Sequence, residues 1–359
     1  MGLSMMRAIG LMSGTSLDGI DAAWVETDGD LRLVTGPSLT IPYQADFRRR
    51  LRAVLGSEAL SGEVQEVERA LTLLHEAAVE ALIANNGLGR PDLVGFHGHT
   101  ILHRPRAGRT WQIGDGALLA GLLGVPVVSD FRTADVAAGG EGAPLVPAYH
   151  RALAGTCPKP VAVLNIGGVA NVTWIGETGM LAFDTGPGNA LIDDWALRHT
   201  GRPVDEDGAL ARAGTVDRAA VERCLAHRYF ADSPPKSLDR DEFAGFVPDH
   251  LSPADGAATL TRLTAVSIAR AAAHFPVPVE RWLVTGGGRR NPALMAALAE
   301  ELGQPPMPVE AEGWDGDALE AQAFAYLAVR SLAGLPLSFP GTTGVRAPQT
   351  GGRLDRPAA

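Results

Sequence analysis

Cysteine is nearly absent from this chain. Only Cys157 and Cys224 occur among its 359 residues. Neither lies in a CxxC pair, so no zinc framework is offered and nothing requires a disulfide. Long apolar runs are also missing. The opening stretch, residues 1–19, is too short and too rich in Gly and Ser to span a bilayer or to serve as a signal sequence. Position 6, where a myristoylation start would carry Ser or Thr, is Met6. A cytoplasmic protein with no membrane partner is expected. Net positive charge is lacking as well. The balance of −10 disfavours nucleic acid, whose phosphate backbone is bound electrostatically. It leaves nucleotide binding open, because backbone N–H groups and a metal ion can supply that locally. What is present is ordinary for a globular chain: 46% apolar and 20% charged residues, enough for a sizeable core. The length suggests two domains.

Short β-branched runs at residues 7–12, 93–96, 126–128, 161–166 and 282–284 alternate with helical patterns at 64–84 and 260–274. That alternation predicts α/β architecture. The first run passes through Ser13–Gly19 into a second strand at 20–27, a turn at Asp28-Gly29-Asp30, and a third strand at 31–34. This is a β-hairpin opening, not a strand entering a helix. A second block repeats it: strands at 161–166 and 169–175 flank Gly167-Gly168, and a third short strand leads to Phe183-Asp184-Thr185-Gly186. Two similar blocks predict a duplicated pair of domains, 1–145 and 146–347. The Gly/Pro/Arg-rich residues 348–359 are expected to form a flexible tail.

The chemistry-bearing residues cluster in these turns. In Gly14-Thr15-Ser16-Leu17-Asp18-Gly19-Ile20-Asp21, the glycines permit close backbone approach and two hydroxyls can donate. Successive N–H groups in such a turn make an anion cradle. No GxxxxGK(S/T) lysine is present, so Mg²⁺ is expected to neutralise the phosphates, with Asp18 as the candidate metal residue, directly or through water. Within Gly95-Phe96-His97-Gly98-His99-Thr100, His97 and Gly98 are candidates for a sugar-binding cleft. His99 and His103 are read as packing or surface residues. His97 and His99 are expected on opposite faces of their strand, and no Cys or carboxylate completes a zinc site. Arg132 presents a planar fork for a carboxylate or phosphate, or equally an internal pair with Asp130 or Asp135.

Asp184 is expected to end a strand and project a carboxylate into an inter-domain cleft as a general base. Gly186 and Gly188 with Thr185 then form a second candidate phosphate loop, Gly167, Gly168 and Asn171 are further candidate nucleotide contacts, and the helix starting near Asn189 favours an anion at its N-terminus. In Gly286-Gly287-Gly288-Arg289-Arg290-Asn291, the flat backbone of Gly287 and Gly288, with Asn291, suits an adenine or ribose. Glu320 lies in an Ala-rich helical run whose Ala323 and Ala328 suggest close packing. On sequence physics alone it reads as solvent-exposed.

Taken together, the stretches GLMSGTSLDGID, FHGHT, DFRTADVAAGG, NIGGVANVT, FDTGPGNALID, GGGRRNP and EAQAFAYLA resemble the anhydro-N-acetylmuramic acid kinases, over residues 9–348. The resemblance implies two actin-like (ribonuclease H-like) domains closing over ATP at an inter-domain cleft. It implies a phosphotransferase with an alcohol acceptor. ATP, water and 1,6-anhydro-N-acetylmuramic acid would give ADP and N-acetylmuramic acid 6-phosphate, in cell-wall (peptidoglycan) recycling. It assigns ATP contacts to residues 14–21, the catalytic aspartate to Asp184 and a sugar contact to Glu320. It also places His97 and Arg132 in the substrate cleft, and implies a homodimer. The chain departs from the family pattern at Glu141, where Gln is common, at Leu238-Asp239, where Thr-Gly is expected, and at Asp255-Gly256-Ala257-Ala258 before Thr259, where a Val is usual after the Asp. Two alternatives remain: another sugar kinase of the same fold phosphorylating an intact hydroxyl, and an actin- or chaperone-like nucleotide switch.

Overall fold

The computed structural model describes residues 4–14, 16–239 and 242–358. The chain divides into two compact units, one made of Met1–Thr156 with Ala318–Ala359, the other of Cys157–Asp317. The first unit carries strands β1 (Met6–Ser13), β2 (Gly19–Thr27), β3 (Leu33–Pro42), β4 (Leu93–Arg104), β5 (Arg109–Ile113) and β6 (Val127–Ser129). The second carries β7 (Val161–Ile166), β8 (Val169–Ile175), β9 (Met180–Pro187), β10 (Arg281–Thr285) and β11 (Met307–Pro308). A last strand, β12 (Arg353–Asp355), returns to the first unit.

The two sheets repeat one plan. In the first, the order is β12-β6-β4-β1-β2-β3, with β5 on β4; in the second it is β11-β10-β7-β8-β9. Each unit opens with three antiparallel strands, β1-β2-β3 or β7-β8-β9. Each then adds two parallel strands beside the first of these, β4 and β6 or β10 and β11. This is the ribonuclease H-like layout of actin-like domains, present twice, as the paired hairpin openings predict.

Alternation along the strands sorts the first unit's side chains between two helices. Ile9, Leu11, Ala22, Trp24, Val94 and Phe96 enter a core with Val64, Val67, Leu71 and Leu82 of the Gly62–Asn86 helix. That helix starts where Ser61 accepts the Val64 N–H at 3.2 Å and ends at Gly87 with φ 61°. On the opposite face Gly10 and Gly95, direct neighbours in the β1–β4 register, meet the Leu319–Leu332 helix. A Cβ on Gly10 would collide with the backbone of Ala321 and Ala325, and one on Gly95 with the carbonyl of Phe324. The missing Cβ atoms let the helix axis approach the sheet closely. This is the close packing that the alanines of that helix signal.

Three expectations need correction. The division falls after Thr156, not at 145, and residues 318–359 rejoin the first unit because the Leu319–Leu332 helix packs on β1 and β4. Residues 348–359 are not a loose tail. β12 pairs antiparallel with β6, and the Leu337 N–H donates to the Gln349 carbonyl at 2.7 Å. The third strand is longer than the expected 31–34, running from Leu33 to Pro42.

Candidate active site

The hairpin joining β1 to β2 is built as a tight turn. The Leu17 N–H donates to the Gly14 carbonyl at 3.1 Å, and Leu17 is buried with φ 60°, an unusual conformation for a branched residue. Ser16 and Asp18 are exposed, Gly19 and Ile20 are buried in β2, and Asp21 is half-buried. Thr15 lies outside the described residues. A Cβ on Gly19 would strike the Ile41 backbone, so that glycine serves strand packing, whereas Gly14 is open apart from the Ser16 hydroxyl. The turn therefore presents Gly14, Ser16 and Asp18 outward.

A second group of the first unit gathers His97, Arg132 and Glu320. The Arg132 Nε–H donates to His97 Nε2 at 3.1 Å, with Nη2 at 3.0 Å from the same atom, and Nη1 donates to the Gly142 carbonyl at 2.8 Å. His97 Nδ1 is 2.9 Å from the Gly98 carbonyl, so it carries the proton and Nε2 accepts. Burial first, and the Arg132 charge second, hold His97 well below the ordinary histidine range. Burial pushes Arg132 down to about 10, against the pull of Glu320 and then Asp135. The arrangement is a neutral imidazole bracing a guanidinium. One N–H on each terminal nitrogen of Arg132 has no hydrogen bond among the described residues. Asp135 is not the hydrogen-bond partner of Arg132. Its carboxylate accepts from the Gly142 N–H at 2.6 Å and from the hydroxyls of Ser338 and Thr343. Glu320 is half-buried, not a surface residue.

His97 and His99 face opposite sides of β4, but not because of regular strand geometry. Residues two apart on a regular strand share a face. Gly98, at φ 70°, reverses the alternation, and the β1–β4 register shifts at the same place. His97 thus stacks 4.5 Å from Phe324, while His99 turns to Ser13.

In the second unit Asp184 sits within β9, which continues to Pro187, and does not end a strand. The segment 229–238 holds it. The Leu238 N–H donates to Asp184 Oδ2 at 2.7 Å, the Asp184 N–H to the Lys236 carbonyl at 3.0 Å, and the Tyr229 hydroxyl to the Asp184 carbonyl at 2.6 Å. Lys236 closes the segment: its ammonium donates to the Tyr229 carbonyl at 2.8 Å and lies 4.5 Å above the Tyr229 ring. Burial lowers the pKa of that ammonium, with Asp232 opposing. Neither Tyr229 nor Lys236 is marked by any sequence pattern as a partner of Asp184.

Three glycines in the loops of this unit have internal explanations. A Cβ on Gly186 would meet Ser267 and Phe230, one on Gly286 would meet Asn165 and Ile166, and one on Gly288 would meet Ile166. Gly167 and Gly287 have no contact closer than ordinary van der Waals distance. Asn171 is half-buried on β8. The Thr185 hydroxyl donates to the Ala170 carbonyl at 3.2 Å. The N–H groups that lead into the Ala190–Thr200 helix are bonded inside the fold. The N–H groups of Gly188 and Ala190 go to the Gly168 carbonyl, and that of Asn189 to Gly167. Asn291 is a helix cap, its side chain accepting from the N–H groups of Ala293 and Leu294. Arg289 binds Glu310 and Asp317 at 2.9 Å each.

Among the described residues no group of three or more His, Cys, Asp or Glu side chains could hold a metal ion. No helix among the described residues is long and apolar enough to cross a membrane.

The family model described as anhydro-N-acetylmuramic acid kinase (AnmK) matches residues 6–355. The chain belongs to the anhydro-N-acetylmuramic acid kinase family. It is therefore a kinase. Three curated proteins named anhydro-N-acetylmuramic acid kinase are similar to it over almost their whole length. That of Paramagnetospirillum magneticum is 61% identical, over 97% of this chain and 99% of its own. That of Rhodospirillum rubrum is 58% identical, over 96% and 93%. That of Rhizorhabdus wittichii is 53% identical, over 99% and 100%. Within this member of the anhydro-N-acetylmuramic acid kinase family, the first unit brings His97, Arg132 and Glu320 together, and the second fixes Asp184.

Proposed function

We propose that the protein phosphorylates 1,6-anhydro-N-acetylmuramic acid with ATP and water, giving N-acetylmuramic acid 6-phosphate and ADP, in the cytoplasm as part of cell-wall recycling. The observation that carries this reading is the family match over residues 6–355, which spans all the candidate site residues.

Asp184 is the base. Its carboxylate takes a proton from water as the water oxygen forms a bond to the anomeric carbon. The bond from that carbon to O6 breaks, O6 takes the γ-phosphoryl group, and the bond from that group to the β-phosphate oxygen breaks, releasing ADP. A glycosidase needs a second carboxylic acid to protonate the leaving oxygen. Here the phosphoryl group takes the place of that proton, so one carboxylate suffices. The Leu238 N–H on Oδ2 fixes the direction of the base. Water attack opposite the breaking bond inverts the anomeric centre.

The other residues position the reactants. The free N–H groups of Arg132, braced by His97, suit a carboxylate or phosphate on the sugar, and Glu320 suits its hydroxyls or amide. Gly14, Thr15, Ser16 and Asp18, with Gly167, Gly287 and Asn291, are the proposed nucleotide contacts. Mg²⁺, held by the phosphates and Asp18, would stabilise charge on the transferring group. The packing seen at Gly186 and Gly288 makes those two glycines supports of the loops.

A substrate panel tests the reading. ADP release measured with 1,6-anhydro-N-acetylmuramic acid should exceed that with N-acetylmuramic acid, N-acetylglucosamine or glucose by at least about 10²-fold, since a site built around a missing or extra polar group discriminates strongly. Comparable turnover of an intact free sugar would favour simple hydroxyl phosphorylation.

A further inference from the structure

Tyr43, at the end of β3, bonds both ends of the β1–β2 hairpin. Its hydroxyl is 2.5 Å from Ser13 Oγ, where the turn begins, and its backbone N–H donates to the Asp18 carbonyl at 2.9 Å, where the turn ends. Ser13 Oγ is also 2.8 Å from His99 Nδ1. Tyr43 is 6% exposed, Ser13 2% and His99 0%. We propose that Tyr43 is the positioning residue of the phosphate hairpin, holding Ser13 at the start of the turn and Asp18 at its end. This rests on reading the hairpin as a phosphate cradle.

The three groups are buried together, so each depends on the others for a hydrogen-bond partner. The Tyr43 and Ser13 hydroxyls share one bond, and Ser13 bonds the His99 ring as well. Burial holds His99 at about 4, so it stays neutral at physiological pH.

The clamp fixes where the turn's N–H groups point before a nucleotide arrives, which is the condition for a low-cost anion site. Tyr43→Phe removes the hydroxyl and keeps the ring and backbone N–H. KM for ATP should rise about 3–10-fold, the range expected from one hydrogen bond, while KM for the sugar stays within about 2-fold. Ser13→Ala should give the same shift, and the double variant no more than either alone, because both break the same hydrogen bond. An unchanged KM for ATP in Tyr43→Phe would overturn the clamp. The underlying reading is checked separately by adding MgADP to the wild-type enzyme and following the Gly14 and Gly19 amide signals. Signals that do not move would defeat the phosphate hairpin itself, and the clamp with it. Movement together with a normal KM for ATP in Tyr43→Phe defeats the clamp alone.

Discussion

Asp184→Asn should lower kcat by about 10²–10⁴-fold or more, the contribution typical of a positioned general base, while nucleotide affinity changes by less than about 3-fold. The substitution keeps the main-chain bonds and the Leu238 contact. The Leu238 N–H bonds Oδ2 at 2.7 Å, and an asparagine side-chain oxygen can accept the same bond. The Lys236 carbonyl and Tyr229 hydroxyl bind only the Asp184 backbone, so they are unaffected. What asparagine cannot do is accept a proton from water. Steady-state turnover of the anhydro sugar, with ADP affinity measured by calorimetry, separates the two effects. Activity within a few-fold of the wild type would remove Asp184 from the role of base.

The second large effect is on stability. Gly10→Ala should destabilise at or above the upper end of the ~1–3 kcal/mol typical of overpacking, because the new Cβ would meet the main-chain atoms of Ala321 and Ala325, which cannot rotate away. For a unit of this size each kcal/mol lowers Tm by ~2–4 °C, so a drop of roughly 6–12 °C or more is expected. Relief would require moving the whole Leu319–Leu332 helix off β1, and Gly95 sets the same limit one strand over. Gly121→Ala is the contrast. It lies in the Gly116–Leu123 helix with nothing near its Cβ position. Alanine there should leave Tm unchanged or raise it, since alanine favours helix by ~1 kcal/mol over glycine. Thermal unfolding of the two variants side by side checks the close-packing account. Equal melting temperatures would contradict it.

These two glycines also show where sequence reading stops. Strands β7 and β8 are legible to the residue because short β-branched apolar runs and the Gly167-Gly168 turn are local signals. The doubled hairpin plan is legible for the same reason. The return of residues 318–359 to the first unit is not, because it depends on Gly10 and Gly95 accepting a helix from the far end of the chain. Glu320 reads as a surface residue until that helix brings it to Arg132, whose charge it supports. Glycine runs are ambiguous in the same way. Gly186 and Gly288 are consumed by Ser267 and Ile166, contacts that no spacing rule reveals. His97 and His99 are separated by the positive φ of Gly98, not by strand periodicity. Tyr43 carries no motif at all: its bond to Ser13 spans 30 residues and forms only once β3 has paired with β2.

Running the reaction in ¹⁸O-enriched water, and weighing the sugar phosphate and inorganic phosphate by mass spectrometry, tests most directly whether ring opening and phosphorylation are one event. The account predicts a single heavy oxygen on the anomeric carbon of N-acetylmuramic acid 6-phosphate and none in its phosphate group. Heavy oxygen found only in inorganic phosphate, with the bicyclic sugar recovered intact, would contradict it.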